Sequence, residues 1–164
     1  MIILGIDPGF GITGFGVLKK EAGKSFLLDY GALKMSSTKS LAERIALFYS
    51  FFKQKIVHYG VTDIALETPF LGKNAQNFLK LGYLRGIVYL LSHEHSLQLH
   101  EFAPSEIKLS LTGFGGADKE QVARVIVRLF PGLVMPEKRD ITDALAITLC
   151  GLWKSTARHI RLNS

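Results

Sequence analysis

The sequence of 164 residues contains a single cysteine, Cys150, within an apolar stretch. A lone cysteine cannot form a disulfide inside the chain, so the fold must be stabilised without one. We expect the thiol to be a small, buried apolar group. This cysteine usage is typical of a protein that functions in the reducing cytoplasm.

The sequence also lacks an apolar run that could cross a membrane. The apolar segment 78–91 is interrupted by Lys80 and Arg85, and the apolar N-terminus has no basic leader and reaches Asp7 within a few residues. We therefore predict neither a signal peptide nor a transmembrane span.

Linkers and repeats are absent as well. The sequence shows no long stretch rich in proline, glycine or serine, no internal repeat and no low-complexity tract. Its length fits one domain with a sizeable apolar core. We predict a single domain over residues 1–153, followed by a basic C-terminal tail, residues 154–164, that frays.

Acidic residues are fewer than basic ones. Lysine and arginine total 20 against 14 aspartate and glutamate residues, which gives a formal net charge of +6 and a pI of about 9.5. A chain of this charge favours a polyanionic partner.

Four of these few acidic residues stand at unusual positions. Asp7 and Glu67 each end a run of branched apolar residues, which is typical of strands buried on both faces. If the two strands are parallel neighbours, both carboxylates leave the sheet at the edge where α/β proteins place ligands. Asp140 and Asp143, three residues apart at the start of a helical pattern, share one helix face.

The four acids together predict a metal site. Like charges repel in a poorly solvated cleft, and a bound cation relieves the repulsion. An all-oxygen ligand set without cysteine favours Mg²⁺ or Mn²⁺ over Zn²⁺. Taken singly, each acid has another explanation: Asp7 can begin a turn, Glu67 can be a solvated strand end, and Asp140 with Asp143 can cap a helix.

The pattern of segments predicts a mixed sheet. Three strand-like segments joined by short glycine-bearing turns occupy residues 1–31 and indicate an antiparallel meander. Two further strands, ending at Glu67 and Phe102, alternate with helices, and right-handed crossovers place them parallel to the first strand. Helices are predicted at about residues 41–59, 74–93, 104–111, 119–130 and 140–153. The expected fold is α/β and ribonuclease-H-like: a mixed five-stranded sheet, an antiparallel meander plus two parallel strands, flanked by helices.

A series of motifs spread over nearly the whole chain resembles the RuvC family of Holliday-junction resolvases. These motifs are Gly5-Ile6-Asp7-Pro8-Gly9, Glu67 with Phe70, Lys73 and Asn74, Leu81-Gly82, Arg85-Gly86, Pro104 with Lys108, Gly113 through Lys119 and Gln121, and Asp140 with Asp143-Ala144-Leu145-Ala146-Ile147. The resemblance implies a homodimeric, Mg²⁺-dependent endonuclease that nicks two opposing strands of four-way junction DNA symmetrically, in recombination and DNA repair. It also implies work beside the RuvA and RuvB branch-migration complex.

The resemblance also implies roles for particular residues. The family's catalytic and metal-binding acids fall on Asp7, Glu67, Asp140 and Asp143. Its aromatic residue next to the junction point falls on Phe70, and its DNA-contacting lysines fall on Lys108 and Lys119. The sequence departs from the family pattern at residues 10–12, at residues 83–84 and in its short tail, but these departures leave the four acids unchanged.

On this hypothesis the site holds two Mg²⁺ ions, which Mn²⁺ could replace, and these ions support hydrolysis of a phosphodiester. Lys119, after a glycine-rich loop, would neutralise the transition state or position the phosphate. Further candidates for phosphate contacts are Lys73, Arg85, Arg124 and Arg128.

The helix predicted at 74–93 is apolar on most sides in its second half, which one face of the sheet cannot fully cover. Gly82 and Gly86, four residues apart, permit close approach of a second helix. We therefore predict that this helix forms part of a two-fold dimer interface.

Other functions are compatible with parts of this pattern. A noncatalytic junction-binding module could share the fold, and a nuclease acting on linear duplex or RNA hybrid could share the acids. An actin-like ATPase also places a glycine-bearing hairpin after a strand aspartate, but such proteins need two duplicated domains.

Overall fold

The computed structural model of the chain describes residues 1–69, 75–130, 133 and 139–162, with side chains in the last helix described for residues 140–154. Three strands come first, helices and strands then alternate, and three consecutive helices come last. In chain order they are β1 (Ile2–Asp7), β2 (Ile12–Glu21), β3 (Lys24–Lys34), α1 (Leu41–Tyr59), β4 (Asp63–Glu67), α2 (Ala75–Glu94), β5 (Gln98–Phe102), α3 (Pro104–Thr112), α4 (Lys119–Leu129) and α5 (Arg139–Leu162).

The five strands form one mixed sheet in the order β3-β2-β1-β4-β5. The first three strands are antiparallel neighbours, β4 is parallel to β1, and β5 is parallel to β4. Both β1 and β4 are buried along most of their length, as expected for apolar strands covered by helices on both faces. The predicted five-stranded sheet is therefore confirmed, and β3 and β5 are its two edges.

Two apolar cores lie on opposite faces of the sheet, because successive side chains of a strand point to opposite faces. On one face, α1 and α2 bring Phe48 and Leu84 into the same core as Leu4. On the other face, α3, α4 and α5 surround the core that contains Ile3 and Leu145. The sheet is thus the middle layer of three, with α1 and α2 outside one face and α3 to α5 outside the other.

Helix α5 lies directly against β1 and β2 because glycines leave room for it. A Cβ atom added to Gly14 would stand 1.9 Å from the Asp140 carbonyl oxygen, and one added to Gly5 would stand 2.1 Å from Thr148 Oγ1. Gly14 is also the register partner of Asp7 on β1. The close contact at Gly14 therefore fixes the start of α5 beside the end of β1.

The predicted ends of two helices are confirmed. Ser40 and Glu43 form a capping box at the start of α1, and Gly60 ends that helix in the left-handed conformation, with φ of 63°. Asp118 and Gln121 form the equivalent box at the start of α4. These local hydrogen bonds satisfy backbone groups that the helices leave unpaired, so short sequence signals were enough to locate them.

Helix α5 is longer than predicted. The sequence predicted an end near Trp153 and a frayed tail from Lys154, but the helix continues through Leu162. Residues 154–162 contain neither glycine nor proline, the residues that most often stop a helix, so nothing local ends it. Among the described residues, no helix is both long and apolar enough to cross a membrane.

Candidate active site

The four acids predicted as metal ligands come together at one edge of the sheet. Asp7 and Glu67 are the last residues of β1 and β4, which are adjacent and parallel. Asp140 and Asp143 lie near the start of α5. All four line a single cavity of about 580 Å³. The expectation that these carboxylates converge is therefore met, although they are separated by up to 136 positions (143 − 7) in the sequence.

Two lysines predicted to contact DNA line the same cavity. Lys108 lies on α3, whose neighbouring residue Ile107 is buried in the core and so holds the helix against the sheet. Lys119 is the first residue of α4, directly after the capping residue Asp118. Its ammonium group donates to Asp143 Oδ2 at 2.6 Å. The cavity thus combines four carboxyl groups with two ammonium groups.

Among the acids of the cavity, Asp7 has the most strongly shifted pKa. The pKa of Asp7 is raised from 3.8 to about 7, mainly by burial and then by the negative charges of Asp143, Glu67 and Asp140, while Lys119 opposes the shift. A carboxyl group with such a pKa is about half protonated at neutral pH. The folded chain therefore favours either a proton or a cation at this position.

The charges in the cavity also shift the pKa values of Glu67 and Lys119. Burial, followed by the charge of Asp143, raises the pKa of Glu67, and Lys119 and Lys108 lower it. The hydrogen bond to Asp143 raises the pKa of Lys119, so its ammonium form is stabilised. Each of these shifts involves a charge contributed by another element, which shows that the site exists only in the assembled fold.

The donor set of the cavity fits a hard divalent cation. Its acidic lining residues supply carboxylate oxygens, and the described lining includes no histidine or cysteine, a combination that suits Mg²⁺ or Mn²⁺. The carboxylates do not form a closed ligand cage, since within the described ranges no three histidine, cysteine, aspartate or glutamate side chains are grouped closely enough to hold a metal. Mutual repulsion and the pairing of Lys119 with Asp143 are consistent with this spacing.

Two predicted DNA contacts, Phe70 and Lys73, lie outside the described residues. Arg85, another predicted contact, is only 7% exposed and lies inside the fold. Its guanidinium donates to the Glu67 carbonyl oxygen at 2.6 Å and pairs with the carboxylate of Glu101. Because these internal partners occupy the guanidinium, we do not propose Arg85 as a phosphate contact.

The remaining candidates, Arg124 and Arg128, are exposed on α4. They line a separate groove together with Phe114, whose side chain is also exposed. Their position is compatible with phosphate contacts but lies outside the cavity that holds the acids.

Sequence reasoning missed two features that position the acids. One is the contact of Gly14 with Asp140, and the other is the bond from Arg85 to the Glu67 carbonyl. Both had a local signal: a glycine inside a strand indicates close approach of another backbone, and a charge inside an apolar helix indicates a buried partner. Neither signal identifies which element is the partner.

A mixed sheet in this order, with acids at the carboxyl ends of its adjacent parallel strands, defines a ribonuclease-H-like fold with an acidic cleft. Residues 3–151 match the sequence model of the family described as "Crossover junction endodeoxyribonuclease RuvC". The chain therefore belongs to the RuvC family.

Relatives and solved structures agree with this assignment. The chain is 42% identical over 159 residues to the crossover junction endodeoxyribonuclease RuvC of Pelodictyon phaeoclathratiforme, covering 97% of this chain and 83% of the relative. It is 36% identical over 149 residues to RuvC of Legionella pneumophila, covering 91% and 85%.

Among solved structures, Thermus thermophilus RuvC superimposes with a TM-score of 0.86 at 27% identity, covering 96% of each chain. The structure of T. thermophilus RuvC in complex with a Holliday junction substrate has the same TM-score at 24% identity. The yeast mitochondrial Holliday junction resolvase shares the fold, with a TM-score of 0.68 at 16% identity over 97% of this chain and 81% of that one.

Proposed function

We propose that this chain is a structure-specific endodeoxyribonuclease that resolves Holliday junctions by paired, symmetric nicks, in DNA recombination and repair. The observation that carries the proposal is the cavity in which Asp7, Glu67, Asp140 and Asp143 meet on a RuvC-family fold. A noncatalytic DNA-binding module has no need for four carboxylates in one cavity, because such a group costs stability unless it is neutralised.

Asp7, Glu67, Asp140 and Asp143 would hold two Mg²⁺ ions, with Mn²⁺ as a substitute. Bound there, the ions would supply an activated water and neutralise charge at the scissile phosphate. The raised pKa values of Asp7 and Glu67 support this proposal, because carboxylates that resist ionisation when alone are those that a cation stabilises most.

The chain's own residues bind and orient the DNA. Lys119 and Lys108 line the cavity beside the acids, where their ammonium groups can contact the nonbridging oxygens of the scissile phosphate. Lys119 lies at the N-terminus of α4, where the helix dipole also favours an anion. Phe70 and Lys73 stay predictions from the family resemblance, as contacts near the junction point.

The proposed enzyme acts as a homodimer through α2. Leu79, Tyr83 and Leu90 are exposed on this helix. A Cβ atom added to Gly82 or Gly86 would meet no atom of another element within 4 Å, so this face is open to a second helix. A two-fold pair presents two equivalent sites to two symmetry-related strands. Association with RuvA and RuvB is implied by the family resemblance alone, and a cytoplasmic location stays a prediction from the single cysteine.

Sedimentation velocity tests the dimer. The chain should sediment as a dimer at micromolar concentration, and Gly86→Glu should convert it to a folded monomer because the added side chain meets open space within one protomer. A wild-type monomer would contradict the proposed interface.

Cleavage assays test the function. The protein should place paired nicks at symmetric positions in a synthetic four-way junction with Mg²⁺, and it should cut linear duplex and RNA–DNA hybrid of the same sequence far less. Asp7→Asn should abolish the nicks while junction binding in EDTA persists. Binding without nicks by the wild-type protein would favour the noncatalytic module, and equal cutting of linear duplex would favour a general nuclease.

A further inference from the structure

Arg85 is a buried cation directly beneath the end of β4. A buried charge is strongly unfavourable unless it is paired and hydrogen-bonded, so its partners indicate why it is there. One guanidinium nitrogen, Nη1, donates to the carbonyl oxygen of Glu67 at 2.6 Å. The other, Nη2, pairs with the carboxylate of Glu101 on β5.

Tyr89 completes this group, one helical turn after Arg85. Its hydroxyl donates to Glu101 Oε1 at 3.0 Å and accepts from Arg85 Nη2 at 3.3 Å. We call Arg85, Tyr89 and Glu101 the α2 network. It joins α2, β4 and β5 at the point where β4 ends, because Glu101 lies beside Leu66 in the register of the two strands.

The bond to the Glu67 carbonyl has a direct geometric consequence. A carbonyl held by a charged donor fixes the peptide plane that follows Glu67, and this plane limits the backbone angles at Glu67. Those angles set the direction in which its side chain leaves the backbone. On the other side, the Thr68 N–H donates to the Phe102 carbonyl at 2.8 Å, so both sides of this peptide unit are anchored.

We propose that Arg85 is a positioning residue that aims the Glu67 carboxylate into the acidic cavity by holding the Glu67 carbonyl, with Glu101 and Tyr89 holding Arg85. The proposal rests on the proposed metal-dependent function of Glu67. This role of Arg85 differs from a purely structural one, because Arg85 would affect metal binding only through the Glu67 carboxylate.

The chain contains a matched control on the opposite edge of the sheet. Lys55 on α1 pairs with Asp29 on β3 at 2.5 Å, and Tyr59, four residues after Lys55, donates to the same carboxylate at 2.9 Å. We call Lys55, Tyr59 and Asp29 the α1 network. It has the same composition of cation, tyrosine and edge-strand carboxylate, but these bonds among Lys55, Tyr59 and Asp29 involve no residue that lines the acidic cavity.

A double-mutant cycle tests the proposal with Mn²⁺ alone as the probe, measured by electron paramagnetic resonance on the intact protein without DNA. Arg85→Lys keeps the charge but cannot bridge two acceptors as the guanidinium does. It should weaken Mn²⁺ binding about tenfold, as the loss of supporting contacts around metal ligands does. In a Glu67→Gln background the same change should have no further effect, since the group that Arg85 aims is gone.

Glu101→Gln, which frees Arg85 from its carboxylate, is a second variant and should weaken Mn²⁺ binding in the same Glu67-dependent way. Asp29→Asn, the control from the α1 network, should leave Mn²⁺ binding unchanged. Equal effects of Arg85→Lys in both backgrounds, or weakening by Asp29→Asn to the same degree, would show a general structural role and overturn the proposal.

The outcome is separable from that of the proposed function. A wild-type protein that binds Mn²⁺ but cuts no junction would refute the proposed function, while the cycle would still decide the role of Arg85. A wild-type protein that fails to bind Mn²⁺ would overturn both.

Discussion

The two edges of the sheet are closed in similar ways but stand in different relations to the acidic cavity. At each edge, a helix on the same face of the sheet supplies a cation and, one turn later, a tyrosine, and both contact a carboxylate on the edge strand. The groups are Lys55, Tyr59 and Asp29 at β3, and Arg85, Tyr89 and Glu101 at β5.

The difference lies in the cation. Lysine is a compact point charge, whereas the guanidinium of arginine is a planar fork that can serve two acceptors at once. Arg85 uses this capacity to reach the Glu67 carbonyl as well as Glu101. Its side chain is also more buried than that of Lys55, 8% against 23% exposed. At the β5 edge the ion pair therefore also holds the backbone of Glu67, whereas at the β3 edge Lys55 and Tyr59 both bind Asp29.

The largest expected contrast is in cleavage. Glu67→Gln should reduce the rate of junction cutting on the order of 10³-fold, because it removes a carboxylate from a site that depends on cations. Asp29→Asn removes a carboxylate from the other edge and should change the rate less than about twofold, because distant sites act independently. Single-turnover cleavage of a labelled four-way junction measures both. A comparable loss in the two variants would mean that Glu67 acts through stability.

The second contrast is in the pH dependence of stability. The folded-state pKa of Asp7, about 7, exceeds the unfolded value of 3.8, so the folded protein holds a proton that the unfolded chain releases between about pH 4 and pH 7. The contribution of Asp7 to stability is therefore complete below pH 4 and is lost as the pH rises through 7. By this linkage, Asp7→Asn should be more stable than the wild type at pH 8 by up to about 4 kcal/mol.

Urea unfolding from pH 4 to pH 8, without divalent cations, measures this effect. Asp29→Asn should instead be less stable than the wild type at pH 8, since it removes the partner of Lys55 and Tyr59. Because a bound cation replaces the proton, Mg²⁺ should raise the stability of the wild type at pH 8 more than that of Asp7→Asn. If the difference in free energy of unfolding between Asp7→Asn and the wild type does not change with pH, the pKa of Asp7 is not raised in the folded protein.

The third contrast compares the two cations. Arg85→Met leaves the Glu67 carbonyl without its donor and Glu101 without its cation, and it should lower the free energy of unfolding by about 3 kcal/mol. Lys55→Met should cost about 1 kcal/mol or less, because the Lys55 side chain is more exposed than that of Arg85 and its charge is better solvated. Urea unfolding at pH 7 measures both values. Equal costs would remove the energetic distinction between the two edges.

Much of this arrangement could be predicted from the sequence because its signals are local. Buried strands follow from runs of branched apolar residues, and the ends of α1 and α4 follow from capping residues. The meeting of Asp7 and Glu67 follows from one further inference, that the strands they end are parallel neighbours. The same reasoning identified α2 as a helix with an open face, which agrees with the exposure of Leu79 and Leu90.

The features that could not be predicted from the sequence depend on contacts between residues that are far apart in the chain. Arg85 looked like a break in an apolar segment and a candidate for phosphate contact, because its partner Glu101 lies 16 positions away and on another element. Gly14 looked like part of an ordinary strand, although it marks where α5 contacts the sheet. In both cases the sequence shows that a residue is unusual for its surroundings, but only the fold identifies the group it contacts.

The smallest contrast compares the two tyrosines. Tyr89→Phe and Tyr59→Phe each remove one hydroxyl from a carboxylate that keeps its cation, so each should lower the free energy of unfolding by about 1 kcal/mol. Their effects on Mn²⁺ binding should differ, because the Tyr89 hydroxyl also accepts from the guanidinium that holds the Glu67 carbonyl. Tyr89→Phe should weaken binding measurably, but less than Arg85→Lys, and Tyr59→Phe should leave it unchanged. If two variants of equal stability bind Mn²⁺ differently, stability alone cannot explain the link between α2 and the cavity; if they bind it equally, the two edges are functionally alike at this level.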